Sequence, residues 1–394
     1  MIKDQIQQLA KKYAPEFIEI RHQIHANPEL SYQEFETSAF VQQKLSEFGI
    51  PFEVKATTGV VGLIKGKNPD TKITALRADM DALPIPEEND VPYKSKNSGV
   101  MHACGHDVHT TCLLGAAKIL NELKEEWEGT VKLIFQPGEE KNPGGASILI
   151  KEGVLENPKP SSIFALHVHP GVEVGRLSFR GGMIMASADE IYITIKAKGG
   201  HAAAPQYTAD TILIASHLIV SLQQIVSRNN SPFNPSVLSI TSFQGGTTTN
   251  VIPSEVKLMG TFRAMNEEWR DEAHRRMIKI AESIAEGMGA KCEFTIVRGF
   301  PFLVNEEKLT ERVIQYASEY LGEKNVVEED IWMAAEDFSY YSQAADSCFY
   351  LCGVGNPSKG INSGLHTATF NIDEDVLKVS TGLMAYIAVK RLGN

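Results

Sequence analysis

The order of strand-like and helix-like segments changes near residue 189 and changes back near residue 305. Between these points the pattern predicts strand, helix, strand, strand, helix and strand, which is the order of the ferredoxin-like split unit. Its length of about 110 residues is an ordinary domain size. We therefore predict a ferredoxin-like α+β domain at residues 187–299, inserted into a discontinuous domain made of residues 1–186 and 300–394.

The residues outside the insert follow a different pattern. Helical periodicity covers residues 2–26, 33–49 and 109–126, and short β-rich runs cover 60–65, 73–78, 130–136 and 162–168. Alternating strands and helices are typical of an α/β domain with a mostly parallel, mixed sheet. A chain of 394 residues is also long enough for two separate cores.

Composition excludes several classes of partner. The net charge of −11 argues against a nucleic-acid-binding protein, which normally has a basic face. The first residues lack the apolar region of a signal peptide, and no apolar run reaches the roughly 20 residues that span a bilayer. Five cysteines are an odd number, which favours a reducing compartment over a disulfide framework. We expect a cytoplasmic protein without a membrane or nucleic-acid partner.

The segment from Met101 to His109 contains the densest group of metal-ligand residue types. Cys104, His106, Asp107 and His109 lie within six residues, just before a predicted helix. Thiolate and imidazole are strong ligands for first-row divalent metals. The alternative is that Asp107 caps the helix and the histidines are incidental.

Four further clusters contain carboxylates or histidines, and each has a simpler interpretation when taken alone. The pair Glu139–Glu140 follows a predicted strand and could be a solvated acidic turn. A histidine in a strand, such as His167, is more often satisfied in the core than a ligand. The remaining candidates are His366, in a Gly/Ser-rich stretch, and Asp79 with Asp81 at the end of a strand, all of which could have structural roles.

Their positions relative to the strands make these clusters more informative together. Most of them lie at or just beyond the carboxyl ends of predicted parallel strands, where open α/β sheets bind ligands. The clusters together offer five side chains that commonly bind metal, which is too many for one tetrahedral site. These are Cys104, His106, Glu140, His167 and His366. They suit two divalent cations roughly 3.5–4 Å apart. Manganese or zinc fits these donors best, with nickel or cobalt as alternatives.

With these clusters in place, the sequence resembles the amidohydrolase branch of the M20 metallopeptidases. The resemblance covers essentially the whole chain and includes hippurate hydrolases, N-acyl-amino-acid amidohydrolases and hydrolases of auxin–amino acid conjugates. The matching segments are Arg21–Ser31, Arg77–Pro84, His102–His109, Gln136–Glu140, Leu166–Pro170, Gly199–Pro205, Asn250–Pro253, Gly260–Arg263, Ala335–Phe338 and Leu365–Phe370. It implies a zinc-exopeptidase-like catalytic domain with an inserted lid or dimerisation domain.

The resemblance also implies roles for individual residues. The five donors match the metal ligands, Glu139 matches the catalytic base, and Asp79 matches a residue that supports the metal site. His201 matches an oxyanion donor that reaches the site of a neighbouring subunit. Asn250 and Arg263 resemble the residues that hold the substrate's carbonyl and carboxylate, and we expect them side by side. Taken alone, Arg263 would be interpreted as a surface ion pair.

Two positions need separate interpretation. Gln206 stands where many relatives carry a histidine, so the surroundings of the oxyanion donor are expected to differ in detail. His109 is expected to have a supporting or structural role rather than to bind metal.

The expected function is metal-dependent hydrolysis of N-acyl amino acids, such as N-acetyl or benzoyl derivatives, by a homodimer formed through the inserted domain. One alternative is a dipeptidase or aminopeptidase that uses the same dinuclear chemistry. The other is a catalytically inactive binding protein that has kept the fold. The sequence leaves the preferred acyl group and the native metal open.

Overall fold

The computed structural model describes residues 1–393 and divides them into two compact units. Unit 1 consists of Met1–Ile184, Val304–Asp330 and the described residues from Asp337 onward. Unit 2 consists of Met185–Leu303 together with the short segment Ile331–Glu336. That short segment lies far along the chain from the rest of unit 2, and no local sequence pattern indicates that it belongs there.

The regular elements alternate through most of the chain. The helices are α1 (Ile2–His25), α2 (Phe35–Glu47), α3 (His106–Glu122), α4 (Gly145–Lys151), α5 (Thr211–Leu222), α6 (Glu267–Gly287), α7 (Glu307–Leu321), α8 (Ser339–Ser342) and α9 (Asp375–Leu392). The strands are β1 (Phe52–Lys55), β2 (Gly59–Lys65), β3 (Ile73–Asp79), β4 (Thr130–Gln136), β5 (Ile163–Glu173), β6 (Leu177–Phe179), β7 (Gly182–Met185), β8 (Asp189–Lys196), β9 (Gly200–His201), β10 (Ser236–Gln244), β11 (Val251–Ile252), β12 (Glu255–Ala264), β13 (Lys291–Arg298), β14 (Leu303–Asn305), β15 (Val326–Glu328) and β16 (Ser347–Gly355). Shorter helical turns cover Lys124–Glu126, Pro205–Tyr207, Ile225–Asn229, Glu323–Asn325 and Pro357–Lys359.

Unit 1 is built on an eight-stranded mixed sheet in the order β1-β2-β4-β3-β5-β16-β6-β15. The four central strands, β4, β3, β5 and β16, are mutually parallel, while β2 joins β4 and β6 joins β16 in antiparallel fashion. The carboxyl ends of the four parallel strands therefore meet at one edge of the sheet. This confirms the α/β class and the mostly parallel mixed sheet.

The core of unit 1 lies between this sheet and its helices. All seven residues of β4 and all nine of β16 are buried, as expected for strands that are covered on both faces. Helices α1, α3 and α9 pack against one another, and α9 is apolar on nearly every side. Burial of the apolar side chains on these strands fixes the central strands, and with them the edge from which the polar clusters project.

Unit 2 contains a four-stranded antiparallel sheet in the order β10-β12-β8-β13. Its strands alternate between faces, so Ile191, Ile193 and Ile195 are buried under α5 and α6 while Tyr192 is exposed on the other face. The order of elements and the strand order are those of the ferredoxin-like split unit. The inserted α+β domain predicted from the sequence is therefore confirmed.

One helical segment of unit 2, Thr211–Asn229, is long and apolar enough to cross a membrane by length and composition alone. Ile214, Leu218 and Leu222 on this segment belong to the core of unit 2. A core helix of a compact domain has the same composition, so this observation is weak evidence for a membrane span.

Candidate metal centre

The carboxyl edge of the parallel strands in unit 1 brings the predicted ligands together. Asp79 ends β3, the pair Glu139–Glu140 follows β4, His167 lies within β5, and His366 follows β16. Several groups of ligand atoms form there, each with its atoms within 4.8 Å of one another, and two of these groups contain Cys104. One group is Cys104, His106 and His167, and the other is Cys104, Glu140 and His366.

Cys104 and His106 are placed by the start of α3. The helix begins at His106, three residues earlier than the predicted helix, because Gly105 precedes it with a left-handed φ of 86°. A Cβ atom on Gly105 would lie 2.4 Å from Cγ2 of Val168, so only glycine fits between the two ligands. The turn therefore directs the Cys104 thiol and the His106 ring towards β5.

The five candidate ligand atoms form a compact cluster. Sγ of Cys104 lies 3.4 Å from Nε2 of His167 and 3.3 Å from Nε2 of His366. Oε1 of Glu140 lies 3.4 Å from Nε2 of His366 and 3.9 Å from Nε2 of His106. The two groups have Cys104 in common, which suits two neighbouring cations with a shared ligand.

Two atoms in this cluster test whether a cation fits. Nε2 of His106 and Oε1 of Glu140 are buried, and neither has a hydrogen-bond partner among the described residues. Buried polar atoms are nearly always paired, so two such atoms facing each other at 3.9 Å require an explanation. A divalent cation satisfies both lone pairs, and the set of thiolate, imidazole and carboxylate donors is suitable for one.

The ring orientations of His106 and His167 direct the same nitrogen towards the cluster. Nδ1 of His106 donates to the backbone oxygen of Asp81 at 2.8 Å, and Nδ1 of His167 donates to the backbone oxygen of Val168 at 2.8 Å. Metal-binding histidines usually donate their other N–H in this way. Nε2 of each ring therefore carries the lone pair that faces the cluster.

His366 differs from the other four ligands. Its side chain is 53% exposed, and its backbone has a left-handed φ of 59°. Its backbone N–H donates to the oxygen of Ala103 at 2.9 Å, which ties it to the loop that carries Cys104. An unfavourable backbone conformation held in place by its surroundings is a frequent feature of functional sites.

Asp79 connects the cluster to His109. Oδ1 of Asp79 accepts from Nδ1 of His109 at 2.6 Å, and Nε2 of His109 accepts from the backbone N–H of Val168 at 3.0 Å. Both nitrogens of His109 are thus engaged in hydrogen bonds, which suits the supporting role expected for it. His169, the other nearby histidine, lies on β5 with Nε2 3.8 Å from Glu329.

Arg77 and Asp337 form a second layer that the local sequence patterns did not indicate. The Arg77 guanidinium donates to Asp79 at 2.6 Å and to Asp337 at 2.7 Å, and all three side chains are buried. Gln136 at the end of β4 also donates to Asp337, at 2.8 Å. The backbone N–H of Asp337 lies 3.4 Å from Oε1 of Glu139, which connects this network to the predicted base.

The electrostatics of the cluster are those of crowded acids and bases. Burial raises the pKa of the Cys104 thiol well above its usual range, and the carboxylates of Glu140 and Glu139 raise it further. Burial alone would lower the pKa of His106, but the carboxylates of Asp79 and Asp81 raise it to about 10. A bound cation would lower both pKa values, because it stabilises the thiolate of Cys104 and competes with the proton for the lone pair of the His106 imidazole. Cation binding must therefore release protons.

Three predicted site residues lie in unit 2. His201 in β9 pairs with Val251 in β11, and the N–H of Ala202 donates to the backbone oxygen of Asn250 at 3.0 Å, so the structure brings His201 and Asn250 together. Nδ1 of His201 accepts from the N–H of Ala203 at 3.0 Å. That contact leaves the proton on Nε2, which is exposed and available as a hydrogen-bond donor.

The structure contradicts the expectation that Arg263 lies beside Asn250. In the register of β12 with β8, Glu255 pairs with Lys196 at one end and Phe262 pairs with Asp189 at the other. His201 and Asn250 lie beyond the first end, whereas Arg263 lies at the second, roughly 26 Å along an extended strand from Glu255. Most of the chain between Asn250 and Arg263 belongs to the extended strand β12, which spans the sheet.

Arg263 itself is half-buried, and burial lowers its pKa while the charge of Asp189 opposes that effect. Within residues 1–393 no carboxylate lies within ion-pair distance of its guanidinium. The interpretation of Arg263 as one half of a surface ion pair is therefore not supported.

Comparison with known proteins agrees with this site. The sequence pattern of peptidase family M20/M25/M40 matches residues 75–390, which include every candidate ligand. The chain is 40% identical over 377 residues to thermostable carboxypeptidase 2 of Saccharolobus solfataricus, covering 95% of this chain and 94% of the relative. It is 38% identical over 383 residues to N-acetylcysteine deacetylase of Bacillus subtilis, covering 96% and 97%.

A solved structure is similar over nearly the whole length. The YXEP protein of Bacillus subtilis, described as a dinuclear metal-binding peptidase of family M20, superimposes with a TM-score of 0.84 at 35% identity. The match covers 97% of this chain and 99% of that one. The chain belongs to peptidase family M20, in its amidohydrolase branch, and is a metal-dependent hydrolase.

Proposed function

We propose that this protein hydrolyses the amide bond of N-acyl amino acids, such as N-acetyl or benzoyl derivatives, and releases a carboxylic acid and a free amino acid. Divalent cations held by the five ligands would supply the Lewis acidity that polarises an amide carbonyl and acidifies water. Manganese or zinc is the proposed metal, because the site mixes thiolate, imidazole and carboxylate donors.

Glu139 is the proposed general base. It is buried, and its carboxylate lies within 4.8 Å of the ligand atoms of His106 and Glu140, but it is in neither of the two groups that include Cys104. A carboxylate in that position takes the proton of the attacking water and returns it to the leaving amine. The Nε2–H of His201 is suited to donate to the oxyanion that develops on the carbonyl oxygen.

The observation that carries the substrate class is the half-buried guanidinium of Arg263, which has no carboxylate partner within residues 1–393. A guanidinium binds a carboxylate through two parallel hydrogen bonds, and such pairs are among the stronger polar contacts. An N-acyl amino acid keeps a free carboxylate next to the amide that is cut. The N-acetylcysteine deacetylase relative supports the same class.

A dipeptidase or carboxypeptidase is the second candidate, favoured by the name of the carboxypeptidase relative. A dipeptide differs by a free α-amino group, which is charged and needs an acidic partner. The test is to assay pairs such as N-acetylmethionine and glycylmethionine at equal concentration. We expect turnover of the N-acetyl compound to dominate, and a clear preference for the dipeptide would overturn the proposal.

We also propose that the enzyme acts as a cytoplasmic homodimer joined through unit 2. Asn250 and Arg263 are proposed to hold the same small substrate, yet they lie at opposite ends of the sheet in unit 2. One copy of unit 2 cannot present both to one N-acyl amino acid. Two copies from two chains can, if one supplies Arg263 and the other supplies Asn250 with His201.

The exposed surface of unit 2 supports this partner. Most of the large hydrophobic side chains that are exposed among residues 1–393 lie in unit 2. On α5, Leu213 and Val220 are exposed on one face, and the edge strand β10 adds Val237 and Phe243. Exposed apolar surface beside an unpaired strand edge is typical of a two-fold interface between identical chains.

The test of the shared site is to mix inactive Glu139→Ala and His201→Ala chains after reversible dissociation. A mixed dimer has one site with an intact Glu139 and the partner's intact His201. Random pairing makes half of the dimers mixed, so about a quarter of wild-type activity should return. Absence of recovery, with mixed dimers shown to have formed, would mean that His201 acts within its own chain or has no catalytic role.

A further inference from the structure

The loop between β4 and α4, Pro137–Gly144, carries both Glu139 and Glu140 and is called here the glutamate loop. It has no regular secondary structure of its own, so its backbone groups need partners elsewhere. Those partners come largely from the segment Ser31–Glu34, just before α2, which is called here the brace. Both segments belong to unit 1.

Glu34 makes the most central contact between them. Its Oε1 accepts from the backbone N–H of Gly138 at 2.8 Å and from that of Tyr32 at 2.8 Å. Its Oε2 accepts from the hydroxyl of Thr58 at 2.8 Å. The carboxylate therefore binds the residue directly before Glu139.

The environment of Glu34 is unusual for a carboxylate. The side chain is 0% exposed, and no Lys, Arg or His of residues 1–393 lies within ion-pair distance of it. Burial, together with the charge of Asp81, raises its pKa to about 7. A buried carboxylate without a cationic partner costs free energy of folding. Its three hydrogen bonds offset that cost only in part, so a role other than stability explains it better.

Tyr32 holds the other end of the loop. Its hydroxyl donates to the backbone oxygen of Lys141 at 2.6 Å and accepts from the N–H of Gly144 at 3.0 Å. Its ring lies against Gly138, where an added Cβ would be 2.3 Å from Cε1 of Tyr32. Gly138 has a left-handed φ of 58°, so glycine is required there for both space and backbone conformation.

Ser31 completes the contact through Asp81. The Ser31 hydroxyl donates to Oδ2 of Asp81 at 2.6 Å, and the same oxygen accepts from the N–H of Glu140 at 3.0 Å. The brace thus contacts the glutamate loop at three points. Glu34 binds it before Glu139, Ser31 contacts it at Glu140 through Asp81, and Tyr32 binds it after Glu140. Resting on the proposed function, we propose that Glu34 is a positioning residue that sets the place of the base Glu139 through the backbone of Gly138.

Two substitutions of Glu34 test this role. In Glu34→Gln, the amide oxygen can still accept from Gly138 and Tyr32 while the amide N–H donates to Thr58. The hydrogen bond to the glutamate loop is therefore kept. In Glu34→Ala the hydrogen bond from the backbone N–H of Gly138 is lost. A displacement of about 1 Å at a reacting group costs up to roughly 10²-fold in rate. We expect Glu34→Ala to lower kcat by about 10-fold to 10²-fold with KM and metal content unchanged, and Glu34→Gln to restore most of it.

Glu29 offers a matched control on the same segment of chain. Its carboxylate accepts from the N–H groups of Glu36 at 3.1 Å and Thr37 at 2.8 Å at the start of α2, and it has no bond to the glutamate loop. Glu29→Ala should lower the melting temperature and leave kcat near wild type. Tyr32→Phe, which keeps the ring and loses both hydroxyl contacts, provides a second test if Glu34→Ala does not fold.

Amide hydrogen exchange separates the failure of this proposal from failure of the proposed function. Exchange of the glutamate loop should accelerate in Glu34→Ala or Tyr32→Phe and not in Glu29→Ala, whatever substrate the enzyme uses. If the wild type cuts no N-acyl amino acid, only the proposed function fails. Unchanged exchange of the loop, wild-type kcat in Glu34→Ala, or Glu34→Gln as slow as Glu34→Ala would each overturn the role of Glu34.

Discussion

The metal centre of unit 1 and the candidate substrate residues of unit 2 are built in opposite ways. In unit 1, Cys104, His106 and His167 are buried, and both rings are oriented by hydrogen bonds from their other nitrogen. In unit 2, His201 and Asn250 are exposed, and their side chains accept hydrogen bonds from near neighbours in sequence, Ala203 and Thr248.

This difference indicates what each region contributes. Buried polar groups must be satisfied within the chain, so the residues around the ligands form an interlocked set. Exposed donors such as His201 and Asn250 have no such requirement and are available to groups from outside the chain. Unit 1 is therefore suited to hold cations and a base in fixed positions, and unit 2 to present donors to substrate.

The strongest test of this division is Glu139→Gln. Removing a general base lowers turnover by roughly 10²–10⁴-fold. Metal content, measured by elemental analysis, should stay near wild type, because all five proposed ligands remain. Glu140→Gln is the control and should lose metal, since its carboxylate oxygen is in the cluster with Cys104 and His366. The reverse pattern would exchange the roles of the two glutamates.

A smaller loss is expected for His201→Ala. Removal of one oxyanion donor usually costs about 10²–10³-fold in kcat. Because His201 lies in unit 2, its loss should leave both the metal content and the exchange of the glutamate loop unchanged. A variant that loses metal instead would show that the two regions are not separate in function.

The smallest effect should come from Arg263→Ala. A hydrogen bond to a charged group contributes about 1.5–3 kcal/mol, so kcat/KM for N-acyl amino acids should fall by roughly 10-fold to 10²-fold. The corresponding N-acyl amino acid amides lack the carboxylate and should be affected much less. Equal losses for acid and amide would mean that Arg263 does not read the carboxylate.

The sequence was most informative where chemistry follows local order. Cys104 and His106 lie two residues apart, and Glu140 lies four residues after the end of a strand that is buried throughout, so strand ends predicted a common edge. It was less informative about contacts between distant segments. Asp337 meets Arg77 across 260 residues of chain, and Glu34 meets Gly138 across 104.

The error in placing Arg263 has a simple physical origin. Proximity in sequence predicts proximity in space for turns and helices, but an extended strand carries the chain about 3.3 Å per residue. The backbone conformation of His366 could not be predicted from the sequence either, because its left-handed φ is set by tertiary contacts rather than by a local pattern. Both features required the strand register and the packed loop to be known.

The most direct test of the metal-centred account is titration of the chelated enzyme with manganese or zinc while hydrolysis of N-acetylmethionine is followed. Five ligand-type side chains in two groups that meet at Cys104 predict that activity rises to a plateau at two equivalents of metal per chain. Proton release should accompany the binding, because the pKa of the Cys104 thiol is raised and that of His106 is about 10 without a cation. Full activity in the chelated enzyme, or a plateau at one equivalent, would contradict the account.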